Sequence, residues 1–352
     1  MRTRAEGRSA SRLAKRRRQP PGLDARAPQA TSPSSFIRTL SIPTPFPVGP
    51  VNVHVILRDP ITLIDSGPLT EEAWDALEAG LRRLGLEVSD VKRVLLTHGH
   101  QDHFGLAEKI ADASGATLYG GKLDRRNFRQ ERSHGLLLED MARSGFGLLP
   151  RLAVVASVAA VDRFAKPLEV WDELAGGETL PGDGWSVVVR STPGHTPGSL
   201  TFSIPEAGVV FTGDTVLKEI TPNAVVDEDP EEAGRPFRSV TRYFETLDEL
   251  GRTSGGATLL TGHGAPVTDW SRHRRTLDRR HGIRVGQIER ELAKGPAAVR
   301  DLVSAIFPLV KTLEIFLAYS EILGFLMYLE DMGRVAKLVE ETRDRYRLAS
   351  TN

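Results

Sequence analysis

The chain has 352 residues, 40% of them hydrophobic, and its 46 Lys plus Arg are balanced by 46 Asp plus Glu, with no cysteine. That length gives room for one large domain, or one domain with a small appendage. Zero net charge provides no global attraction to nucleic acid or an anionic membrane. The absence of cysteine excludes disulfides, thiolate ligands and a cysteine nucleophile, so any metal must be held by nitrogen and oxygen.

Residues 1–34 are rich in Arg, Ser, Ala and Pro and hold only two acids, Glu6 and Asp24. Such a stretch buries too little apolar surface to fold and reads as a disordered basic tail, or as a start placed too early. It lacks the apolar core of a secretory signal, although its KRRR run and Arg-rich composition keep a targeting role open. No apolar run reaches the ~20 residues that span a bilayer. The chain therefore reads as a cytoplasmic protein with no membrane partner.

Folded sequence begins near Phe36 with alternating, turn-punctuated segments that predict β-strands up to ITLIDSG, which places Asp65 at a strand end. LTEEAWDALEAGLRRLG follows with helical spacing, Thr70 as N-cap and Glu71 and Glu72 in the first turn. VKRVLLTHGH predicts a buried strand ending at Thr97, GLAEKIADASGA a helix, and ATLYGG a further strand. Residues 121–170 break the β rhythm and predict a mainly helical, unusually apolar insertion. Strands resume in WSVVVRSTPGHTPGSLTFSI, GVVFTGDTV and ATLLTGHG. From residue 271 the pattern is helical, closing on GRVAKLVEETRDRYRLAS, which reads as a short hairpin.

The strand ends carry the chemistry. THGHQDHFG packs His98, His100, Asp102 and His103 onto one strand-to-helix connection. Side chains alternate along a strand, so a strand cannot aim neighbouring imidazoles the same way. A sharp loop can, and Gly99 and Gly105 are expected to supply its freedom. Three further apolar runs end in metal-type residues: His195 in TPGHTPGS, Asp214 in FTGDT and His263 in TGHGAP. A lone histidine is usually a satisfied core or surface group, because imidazole hydrogen-bonds readily. Four strand ends of the same chemistry are different. Zinc takes roughly four ligands per ion, so seven groups with one shared carboxylate and a shared water suit two ions.

The H-x-H-x-D-H pattern, with the later GH, GD and GHG strand ends and Asp65 in LIDSG, resembles the metallo-β-lactamase-fold superfamily over about residues 36–270. The resemblance implies a four-layer αβ/βα sandwich of the α/β class, with the metals at one edge between two sheets. It implies a catalytic domain over residues 35–270, carrying the insertion at about 121–170. It also implies that His98, His100 and His195 hold one ion and Asp102, His103 and His263 the second. Asp214 would bridge them, and Asp65 would orient the ligand loop. The lack of cysteine departs from the commonest β-lactamase subclass, and His100 departs from the H-x-E-x-D-H of the flavodiiron branch. Residues 271–352 are similar in helix order to the small winged-helix appendage of one glyoxalase II-like group. The different tail puts glutathione thioesters in doubt.

Two zinc ions would supply a metal-bound hydroxide as nucleophile, with Asp102 as the catalytic group that orients it and takes up its proton. Iron or manganese also suit these ligands. The leading expectation is hydrolysis of a thioester or related acyl ester, a small-molecule acyl substrate, with the apolar insertion as lid. A phosphodiesterase or ribonuclease of the same fold stays open, as does an iron-dependent sulfur dioxygenase. The arginine run at 272–284 and Lys218 are expected to be a solvated face, or else a grip for the phosphates of coenzyme A or RNA. Neutral charge and the apolar insertion argue against nucleic acid.

Overall fold

A computed structural model describes residues 35–131, 134–310 and 314–350. The basic segment 1–34, with its expected tail or targeting role, lies outside these residues. The strands are β1 (Ile37–Ile42), β2 (Val51–Ile56), β3 (Thr62–Ile64), β4 (Arg93–Leu95), β5 (Thr117–Gly121), β6 (Asp172–Leu174), β7 (Thr179–Gly182), β8 (Trp185–Ser191), β9 (Leu200–Ile204), β10 (Val209–Gly213), β11 (Thr258–Thr261), β12 (Val335–Val339) and β13 (Asp344–Leu348). The helices are α1 (Glu71–Arg83), α2 (Gln101–Phe104), α3 (Ala107–Ser114), α4 (Arg125–Phe128), α5 (His134–Arg143), α6 (Leu148–Asp162), α7 (Ser239–Thr253), α8 (Trp270–Leu292), α9 (Val299–Ile306) and α10 (Ile315–Asp331). No described helix is long and apolar enough to cross a membrane.

Two sheets form the middle layers. One runs β1-β2-β3-β4-β5-β6, antiparallel through β3 and parallel from β3 to β6. The other runs β11-β10-β9-β8-β7, antiparallel except for the parallel β10–β11 pair. Strands buried on both faces read as continuous apolar runs, because alternate residues serve different layers. Leu63 and Val94 face α1 and α3, whereas their neighbours Ile64 and Leu95 join Val187, Val189, Phe202 and Phe211 between the sheets. On the far side, Val210 and Leu259 pack with residues of α7, α8 and α10. The result is the four-layer αβ/βα order expected from the sequence.

Local signals set several boundaries. Thr70 caps α1, its Oγ1 accepting the Ala73 N–H at 3.0 Å, a contact typically worth ~1 kcal/mol. The closing hairpin is present as β12–β13. Helix α7 is an addition to the expected elements, although Val240, Tyr243, Leu247 and Leu250 follow helical spacing. Residues of the insertion (Met141, Phe146, Val154) share one apolar cluster with α8, α9, α10 and the hairpin, and the described residues form one compact unit.

Candidate metal centre

All seven ligand candidates meet where strands end. Asp65 follows β3, His98 to His103 follow β4, His195 lies between β8 and β9, Asp214 follows β10 and His263 follows β11. His98, His100 and His195 form one group of close donor atoms, and Asp102, His103 and His263 another. A third group, His98, His103 and Asp214, joins the two. The Asp214 carboxylate lies 3.5 Å from His103 Nε2, 3.8 Å from His195 Nε2 and 3.7 Å from His263 Nε2. It therefore stands between the two groups.

The tautomers are set from behind. His195 Nδ1–H donates to the Asn223 carbonyl at 2.7 Å, and His263 Nδ1–H to the Pro50 carbonyl at 2.8 Å. His103 Nδ1–H donates to Asp65 Oδ2 at 2.8 Å. Thr97 Oγ1 donates to that same carboxylate oxygen, so His98 Nδ1–H donates to Thr97 Oγ1 at 3.0 Å. Each of these rings then turns the lone pair of Nε2 inward. His98 Nε2 and His195 Nε2 both lie 3.0 Å from His100 Nδ1. One hydrogen serves two such acceptors poorly, whereas a cation serves all three nitrogens. In the other half, His103 Nε2, His263 Nε2 and Asp214 Oδ1 are buried without a hydrogen-bond partner. Leaving buried polar atoms unsatisfied costs roughly 1–3 kcal/mol each. Nitrogen and carboxylate donors arranged in this way fit divalent metal ions.

The electrostatics point the same way. Burial opposes a charge on His103, yet Asp214, Asp65 and Asp102 together hold its pKa well above the ordinary 6.5. Burial works against the Asp214 carboxylate as well, but His103 and His263 hold its pKa far down. Burial, with the other imidazoles, pushes His98 well below 6.5. The half built on Asp102, Asp214 and His103 thus demands positive charge, whereas burial holds His98 and His195 of the other half neutral.

Backbone geometry corrects one expectation. The sequence suggests unusual torsions at Gly99 and Gly105, yet Gly105 is ordinary right-handed backbone (φ −54°). A Cβ at Gly105 would fall 2.3 Å from the Phe164 carbonyl, and one at Gly99 would fall 2.5 Å from Asn127 Cβ. These glycines allow close approach. Positive φ falls instead on Gly194, Gly213 and Gly264 beside the later ligands and on Asp65 itself (φ 63°), where it costs a non-glycine residue strain of order 1–3 kcal/mol. That conformation accompanies its bonds to Thr97 N–H, Thr97 Oγ1 and His103.

The centre forms part of the wall of a cavity of about 1460 Å³ to which His100, Asp102, His195 and Asp214 contribute. The insertion supplies one side through Leu136 and Val158, and α8 and α10 supply another through Ile283 and Leu317. The arginine run divides. Arg274 is held on the surface by Asp248 and Asp278, both at 2.7 Å, whereas Arg280 and Arg284 line the cavity. Sequence reasoning missed Asn223, which joins His195 to α10 by donating from Nδ2 to the Leu317 carbonyl at 3.0 Å. It also missed the buried Asp124. Neither stands in a motif or at a recognisable spacing.

The sequence profile of the metallo-beta-lactamase superfamily matches residues 46–277. The chain belongs to that superfamily. It is 28% identical over 302 residues to the probable metallo-hydrolase YqjP of Bacillus subtilis (strain 168), spanning 83% of this chain and 91% of that one. It is 25% identical over 213 residues to the hydroxyacylglutathione hydrolase of Brucella ovis, spanning 60% of this chain and 62% of the enzyme. Among solved structures, a metallo-beta-lactamase family protein from Thermus thermophilus superposes with TM-score 0.76 at 25% identity, covering 89% of this chain and 98% of the other. A beta-lactamase domain protein from Burkholderia ambifaria gives TM-score 0.77 at 22% identity, over 90% and 93%.

Proposed function

We propose that this protein is a binuclear metal hydrolase, with zinc as its metal, that cleaves a thioester or related acyl ester bearing an apolar acyl group. One observation carries the reading: seven convergent nitrogen and carboxylate ligands open into a large cavity with apolar walls. His98, His100 and His195 would hold one ion, and Asp102, His103 and His263 the other, with Asp214 between them. Asp65 fixes the ring of His103. Zinc held there would supply Lewis acidity and an acidified water. Asp102 reaches within 3.3 Å of His263 Nε2 and borders the cavity, where its carboxylate can orient that water and receive its proton.

The acyl assignment rests on the walls. Val48, Leu136, Ile220, Ile283 and Leu317 line the cavity and are exposed despite their size. Covering such surface is worth ~25 cal/mol per Å², which an acyl chain supplies and a phosphodiester does not. The volume exceeds the ~300–1,000 Å³ of ordinary small-molecule pockets, leaving room for a bulky carrier beside the chain. Likeness to a hydroxyacylglutathione hydrolase supports a thioester. We read residues 271–352 as the winged-helix-like appendage of this branch, packed against the insertion beside the cavity.

The deciding experiment assays the zinc-loaded protein side by side on acyl-CoA and acyl-glutathione thioesters, a lactone, bis-p-nitrophenyl phosphate and single-stranded RNA. Thioester turnover that survives joint replacement of Arg274, Arg275 and Arg279 by Ala supports the proposal. RNA cleavage abolished by those replacements, without thioester turnover, would transfer the protein to the nuclease reading. One iron per chain and no zinc after growth on both metals would transfer it to the dioxygenase.

A further inference from the structure

Asp124 immediately precedes α4 and is fully buried. Its Oδ2 accepts the Gly99 N–H and the Thr196 Oγ1–H, each at 2.7 Å. Its Oδ1 accepts the Gly198 N–H at 2.8 Å and a longer bond from Asn127 Nδ2 at 3.4 Å. Gly99 separates His98 from His100, and Thr196 and Gly198 follow His195. One carboxylate therefore ties together the two loops that carry all three imidazoles of the three-histidine group. Asp65 does the corresponding work for His103 in the other half.

The fit is close on every side. A Cβ at Gly198 would fall 2.2 Å from the Asp124 backbone nitrogen and 2.7 Å from its Cβ, and one at Gly121 would fall 2.0 Å from the Gly198 carbonyl oxygen. The four groups that hydrogen-bond to the carboxylate are neutral amides and a hydroxyl. Burial pushes the carboxyl up to about 6, against the lowering effect of Thr196, Gly198 and Gly99. Between the ordinary 3.8 and about 6, the folded chain holds a proton that the unfolded chain has released. Above pH 6 the ionised group works against folding. A buried carboxylate without a cationic partner is poor at stabilising a fold. What it supplies is two acceptor oxygens at fixed places.

We propose that Asp124 is a positioning residue that sets the three-histidine half of the metal centre by holding the His98–His100 loop against the His195 loop. The inference rests on the binuclear reading above. An asparagine keeps the size but turns one acceptor oxygen into a donor. That NH₂ meets either the Gly99 and Thr196 donors or the Gly198 N–H, so at least one bond to a ligand-bearing loop is lost and the tie between the loops weakens while the fold keeps its packing.

The test compares full-length wild type, Asp124→Asn and Thr196→Val, the last removing one of the bonds to the carboxylate together with the Thr196 Oγ1–Ser199 Oγ contact at 2.8 Å. Each is titrated with zinc against a chelator series, loaded with cobalt(II) for its absorption spectrum, and melted by circular dichroism at pH 7.5. Wild type is expected to bind two ions. Asp124→Asn is expected to lose about 10–100-fold in affinity at one site, the range typical for such supporting contacts. Its other site, and its melting temperature to within a few degrees, should be unchanged. Thr196→Val should weaken the same site by less. Wild-type affinity at both sites in Asp124→Asn, or equal loss at both sites in Thr196→Val, would overturn the proposal. If Asp124→Asn does not fold, Thr196→Val decides alone. Fewer than two ions in wild type would instead overturn the binuclear reading itself.

Discussion

The ligand floor and the cavity walls of this molecule are built in opposite ways. On the floor, His98, His103 and His263 are buried to 1%, 0% and 4% exposure, and the rear nitrogen of each ring has a hydrogen-bond partner. On the walls, Leu136 of the insertion, Ile283 of α8 and Leu317 of α10 are 40%, 57% and 47% exposed, and only Val154 of α6 is fully buried. Reactive groups need positions fixed to a fraction of an ångström, which packed strand ends and buried carboxylates provide. Walls that select a substrate need apolar area and adaptability, which lightly packed helices provide. Asn223 links the two regions, touching His195 on one side and α10 on the other.

The sharpest way to break this division is at the floor. His98→Ala or His263→Ala should each remove at least one ion and reduce kcat/KM by about 1,000-fold or more, since loss of a ligand disables the nucleophile itself. Elemental analysis and steady-state kinetics check both. Full metal content in either variant would undo the ligand assignment. Next come the two carboxylates. Asp214→Ala should lose more metal than Asp65→Ala, because Asp214 approaches imidazoles of both groups whereas Asp65 acts through His103 and Thr97. The Asp65 variant should fall about 10–100-fold in affinity or activity. Equal losses would remove the distinction between bridge and brace.

The scaffold under the floor should be acid-sensitive. His54 is buried between the sheets against Phe211, its Nδ1 2.9 Å from Thr39 Oγ1. Burial lowers its pKa from 6.5 to about 4, against a raising hydrogen bond at Thr261. Between those values the unfolded chain binds a proton that the folded chain does not. Stability is therefore full above pH 6.5 and is lost as the pH falls toward 4, by about 3 kcal/mol at roughly 1.4 kcal/mol per unit. Denaturant titrations at pH 7 and pH 4.5 should show this loss in wild type and a smaller one in His54→Gln. The smallest effect belongs to the walls. Ile283→Asp and Leu317→Asp should raise KM for a long-chain acyl thioester about 10-fold, the ~1.4 kcal/mol of nearly two buried methylenes at ~0.8 kcal/mol each. The kcat for an acetyl thioester should stay within about twofold. A fall in both kcat values together would mean that walls and floor are mechanically one.

The sequence alone determined whatever depends on neighbours in the chain. The spacing of His98, His100, Asp102 and His103 lies within one connection, so its metal character was legible without a fold. Thr70 was legible as a cap because its partner Ala73 is three residues away. Continuous apolar runs marked strands buried on both faces. His195, Asp214 and His263 were legible as repeated strand ends, since each carries the same local signature of an apolar run, glycine and a ligand. Only the tertiary structure decided which nitrogen of each ring faces inward, because the groups that fix it, Asn223, Pro50, Asp65 and Thr97, arrive in part from distant segments. Only the fold separated Arg274 on the surface from Arg280 and Arg284 in the cavity, since all three share one helix. Asp124 had no signal at all. It is an acid in a turn, and its meaning comes from donors 25, 72 and 74 residues away, brought together by the same sheet edge that assembles the ligands.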